Sequence, residues 1–67
     1  MKIEFYIKEV RERNKITLKQ LEKKSGVSKT EINDIENGYK IPTIFTLELI
    51  AIGLEVTIDK LYKFYKN

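Results

Sequence analysis

With 67 residues and no cysteine, the chain is read as one domain near the lower size limit for independent folding, with no disulfide to staple its core. Its net charge is +3, and it lacks histidine as well as cysteine, so the commonest base, the commonest metal ligand and the thiol nucleophile are all missing. No phosphate loop, metal-ligand spacing, long apolar run or signal-peptide stretch appears, so no enzyme, cofactor, metal or membrane association is expected, and the protein is placed in the cytoplasm.

Helix start signals organise the chain. A first helix is predicted from about Glu4 to Asn14, where Ile3, Tyr6, Ile7 and Val10 recur at helical spacing. Thr17 followed by Gln20 is a capping box, and Ile16 can staple to Leu21. The second helix is therefore expected from about Leu18 to Lys24, burying Leu18 or Leu21 and ending at Gly26. Ser28 with Glu31 repeats the box and Val27 with Ile32 the staple, which predicts a third helix over about Lys29 to Asn37 that buries Ile32 and Ile35. Thr43, after Pro42, starts a fourth helix from about Ile44 to Leu54, with Ile44, Leu47, Ile50, Ala51 and Leu54 facing inward. Thr57, between Val56 and Leu61, predicts a fifth from Ile58 to about Tyr65, presenting Ile58, Leu61, Tyr62 and Tyr65. No stretch reads with the period of a strand, so the expectation is an all-α domain of five helices.

Thr17 to Thr43 carries the functional signal. Two short helices joined by a tight turn at Gly26 form the arrangement that holds a rigid rod in a DNA groove. Charge agrees with this. Arg11 to Lys29 holds seven basic residues against Glu12 and Glu22, whereas Thr30 to Asp59 holds Lys40 alone against six acids. Such asymmetry points to one face turned toward a polyanion.

Gly26-Val27-Ser28, Ile32, Ile35-Glu36-Asn37-Gly38 and Pro42-Thr43, continued by Leu47, Ile50-Ala51, Val56-Thr57, Asp59 and Leu61, resemble the lambda-repressor-like (Cro/C1-type, XRE) helix-turn-helix DNA-binding domains. The likeness covers about residues 3 to 62 and leaves 63–67 as a C-terminal tail. It implies a compact five-helix domain whose second and third helices form the motif. It further implies a sequence-specific transcriptional regulator of the repressor type, a homodimer on a palindromic operator in double-stranded DNA, associated with the nucleoid of a prokaryote or phage host. Carried over by position, Lys29, Thr30, Asn33 and Asp34 would meet base edges. Thr17, Lys19, Ser28, Asn37, Tyr39 and Lys40 would meet phosphates, with Thr17 and Ser28 acting first as caps. Arg11 and Glu36 would form a structural pair bracing the third helix.

Four residues depart from the family pattern. Leu18 stands where a phosphate-binding glutamine is common. Glu22 stands where the family has alanine, and must bend outward or find a cation such as Lys29 or Lys24. Asp34 places an acid on the reading helix, and Glu55 stands where glycine is favoured, so a left-handed Glu55 is expected. Phe45, Leu49 and Ile52 make the outer side of the fourth helix apolar, and with Tyr62, Phe64 and Tyr65 they are read as a homodimer interface. The competing reading of these aromatics is a tail folded over the fourth helix. The alternative function is an antitoxin or adaptor, a protein-interaction module with a protein partner on the same fold. A helical domain that has lost DNA binding is a third reading.

Overall fold

The structure is a computed structural model that describes residues 2–66. The chain runs through β1 (Lys2–Phe5), α1 (Ile7–Arg13), α2 (Leu18–Ser25), α3 (Lys29–Glu36), α4 (Ile44–Leu54), a 3-10 turn (Ile58–Lys60) and β2 (Tyr62–Tyr65). Three of the four start signals are bonded caps. Thr17 Oγ1 accepts from the Gln20 N–H at 3.1 Å while Gln20 Oε1 accepts from the Thr17 N–H at 2.8 Å. Ser28 Oγ accepts from the Glu31 N–H and Thr43 Oγ1 from the Thr46 N–H, each at 3.1 Å. Only half of the second capping box forms, because Glu31 returns no bond to Ser28 among the described residues. Gly26 takes φ 78° and closes α2, and Glu55 ends α4 at φ 60°, the left-handed form expected of it.

The two ends of the chain correct the expectation of five helices and no strand. β1 and β2 pair antiparallel, with Lys2 opposite Tyr65, Ile3 opposite Phe64, Glu4 opposite Lys63 and Phe5 opposite Tyr62. The first helix starts at Ile7, not Glu4, because Tyr6 turns the chain and its N–H donates to the Leu61 carbonyl at 2.8 Å. In place of the fifth helix there is a single 3-10 turn. Thr57 caps no backbone N–H there; instead its hydroxyl holds the Asp59 carboxyl below the ordinary value. Lys2–Phe5 alternates charged with apolar residues, and Tyr62–Tyr65 is aromatic at all positions but Lys63. Each is only four residues long, so neither is convincing alone, and pairing satisfies backbone groups that neither end satisfies by itself. Residues 63–65 of the expected tail therefore belong to β2.

The core joins Ile7 and Val10 of α1, Leu21 of α2, Val27 of the turn, Ile32 and Ile35 of α3, Leu47, Ile50, Ala51 and Leu54 of α4, and Leu61. Of the two α2 leucines, Leu21 is fully buried and Leu18 only partly. α4 lies directly on α2 because Gly53 has no side chain: a Cβ there would stand 3.0 Å from both Leu21 Cδ1 and Ser25 Cβ. Two residues expected in the core lie outside it. Ile44, on the first turn of α4, is 73% exposed, and Ile3, opposite Phe64 in the sheet, is 42% exposed. No helix among the described residues is long and apolar enough to cross a membrane.

Candidate nucleic-acid interface

Helical spacing divides α3 into two sides. Ile32 and Ile35 face inward and are buried, while Lys29, Thr30 and Asn33 are exposed and Asp34 is half-buried. These four candidate base-contacting residues therefore share one arc, centred on the N-terminal half of the helix. The Lys29 ammonium enters no ion pair among the described residues and is free to donate. The candidate phosphate ligands are all exposed, and they fall in two places. Thr17 and Lys19 are at the start of α2, and Asn37, Tyr39 and Lys40 follow α3, with Ser28 at the cap between. The loop after α3 is tied back by the Tyr39 N–H, which donates to the Asp34 carbonyl at 2.8 Å.

Behind this arc, Arg11 of α1 grips Glu36 at the end of α3. Nε donates to Oε2 at 2.8 Å and Nη2 to Oε1 at 3.0 Å, while Nη1 donates to the Ile16 carbonyl at 3.0 Å. The side chains are only 11% and 3% exposed, and the hydrogen bonds to Glu36 hold the guanidinium pKa above its ordinary value. Glu36 is thus held against α1, not on the side that carries Lys29, Thr30 and Asn33, and α3 is fastened by a bidentate charged pair as well as by its isoleucines.

Glu22 corrects an expectation. It binds neither cation offered by the sequence. Its Oε2 accepts the backbone N–H of Lys29 at 3.0 Å, and Lys24 pairs with Glu55 instead, at 3.7 Å. Nothing in the local pattern of α2 signals this bond, which depends on how the turn folds α3 back.

The residues read as a dimer surface are only partly brought together. Phe45 and Ile52 are 71% and 63% exposed on the outside of α4, with Leu49 half-buried beside them. Tyr62 packs against the core, and Phe64 shares its sheet face with Ile3 and Phe5. Tyr65 is on the opposite sheet face, where its hydroxyl donates to Glu4 Oε1 at 2.9 Å and the Tyr6 hydroxyl donates to the same oxygen at 3.1 Å. Sequence reasoning missed a shallow apolar groove of about 260 Å³ lined by Ile3, Phe5, Ile41, Pro42, Ile44, Leu47 and Tyr62. The exposed pair Ile41 and Ile44 around the single proline was its available signal.

A helix-turn-helix family model matches residues 7–61, which takes in α1 through the 3-10 turn and leaves both strands outside. A search of the curated proteins returned no match.

Proposed function

From the premise that this chain belongs to the lambda-repressor-like (XRE) helix-turn-helix family, we propose that it is a sequence-specific regulator of transcription that binds duplex DNA through α3 and acts as a repressor. The observation that carries this reading is the exposed arc of Lys29, Thr30 and Asn33, with Asp34 at its edge, on a helix anchored from behind by Ile32, Ile35 and the Arg11–Glu36 pair. Lys29 would donate to guanine O6 or N7, Asn33 would bond adenine, Asp34 would accept from cytosine N4, and the Thr30 methyl would meet thymine. Thr17, Lys19, Ser28, Asn37, Tyr39 and Lys40 would hold the phosphates and set the register. Phe45, Leu49, Ile52 and Phe64 would join two copies about a two-fold axis, holding their reading helices about 34 Å apart on a palindromic site.

A second reading, a protein-interaction module, draws on the exposure of Ile44, Phe45 and Ile52. Titration of mixed genomic DNA fragments across a salt series separates the two. A regulator that neutralises several phosphates loses affinity steeply as salt rises. Failure to bind any fragment at low salt would sink the DNA reading and leave the interaction module.

A further inference from the structure

Glu22 is the only acid in α2, and it holds both ends of the turn that leads to the reading helix. Its carbonyl accepts the Gly26 N–H at 2.9 Å, while its carboxylate reaches past Val27 and Ser28 to the Lys29 N–H. Any residue at this position supplies the first bond. The second needs a side chain that ends in an acceptor, and a charged acceptor makes it stronger than a neutral one. Lys29 is the first residue of α3 and a candidate base contact, so the bond fixes the backbone from which that side chain departs.

Position is one consequence of this bond, and charge is another. A helix N-terminus carries a partial positive charge and attracts anions, phosphate oxygens included. In this chain a carboxylate from the neighbouring helix already occupies that end. Building on the DNA-binding reading, we propose that Glu22 is a positioning residue for base recognition. It sets where the first turn of α3 stands against α2, and its carboxylate takes the Lys29 N–H that a phosphate oxygen could otherwise accept from, leaving the Ser28 hydroxyl as the group at this helix end that can meet phosphate. Glu22 thereby weakens binding to every duplex and sharpens the choice between duplexes.

Two substitutions separate position from charge. Glu22→Gln keeps an acceptor for the Lys29 N–H and removes the charge, whereas Glu22→Ala removes both and suits the interior of α2. Binding is measured for the best genomic fragment selected by the wild type and for mixed competitor DNA. Glu22→Gln is expected to tighten both by about three-fold, the weight of one unit charge several ångströms from a phosphate in water, with their ratio unchanged. Glu22→Ala is expected to lose about ten-fold of that ratio, as much as one mismatched base pair, without weaker binding to the competitor. The Lys29 amide resonance is the independent readout: protected from exchange in the wild type and Glu22→Gln, unprotected in a folded Glu22→Ala. A full wild-type ratio in Glu22→Ala overturns the role of Glu22 and leaves the DNA-binding reading intact. A wild type that binds no DNA overturns both, even if the Lys29 amide behaves as described.

Discussion

Arg11 and Glu36 are 25 positions apart, and α1 and α3 meet so that their charges sit almost out of water. Glu36→Gln leaves the guanidinium without its counter-charge and is expected to cost about 3 kcal/mol, read from the urea midpoint. Arg11→Lys should fail to restore stability, because an ammonium cannot make two parallel bonds to Glu36 and also reach the Ile16 carbonyl. A midpoint unchanged in either variant would refute this account. Gly53→Ala pushes a methyl group into Leu21 and Ser25, and the Ser25 backbone N, 3.1 Å away, is held within α2. The expected loss is about 1–3 kcal/mol in thermal unfolding, the range for an overpacked core. The Arg11–Glu36 pairing was legible by resemblance. The bond from Glu22 to Lys29 was not, since a glutamate beside lysines reads first as an ion pair.

The small sheet is expected to respond to acid through one carboxylate. The Tyr65 and Tyr6 hydroxyls both donate to Glu4, which holds its carboxyl below the ordinary value of 4.5. The folded state therefore favours ionised Glu4, and its contribution is fully present above that ordinary value and lost as pH falls through the lower folded value. Acidification should loosen β1 and β2 before the helical core, seen as faster amide exchange at Glu4 and Lys63, which face each other as a hydrogen-bonded pair two positions from the Tyr6–Leu61 bond. Tyr65→Phe, which removes one donor, should blunt that pH step; an identical profile would exclude Glu4 as its origin. The Tyr65 phenol is pushed up in turn by its contacts with Tyr6 and Glu4. The composition of both strands, charged and apolar at one end and aromatic at the other, was visible in the sequence, but neither reads as a strand. At the N-terminus, Ile3, Tyr6, Ile7 and Val10 also fit a helix, and four residues are too few for period to arbitrate.

For the whole molecule, the apolar outside of α4 is the surface through which the proposed dimer would form. Phe45 and Ile52 are exposed, so Phe45→Glu with Ile52→Glu should leave the fold intact. The double variant is expected to sediment as a monomer and to lose more affinity for a palindromic site than for a half-site. A wild type that is itself strictly monomeric at micromolar concentration would remove the dimer from the proposal. What the sequence determined by itself, apart from a left-handed Glu55 legible only by resemblance, was the stretch from Thr17 to Leu54: caps, the Gly26 turn and helical spacing. Those signals act between residues a few positions apart, so they are present in the chain before it folds. Only the tertiary structure decided the rest: the pairing of ends as remote as Glu4 and Tyr65, 61 positions apart, the turn of Glu22 onto Lys29, and the exposure of Ile44. The physical reason is that hydrogen bonds and burial depend on which groups meet across the molecule, and local pattern does not say which will meet.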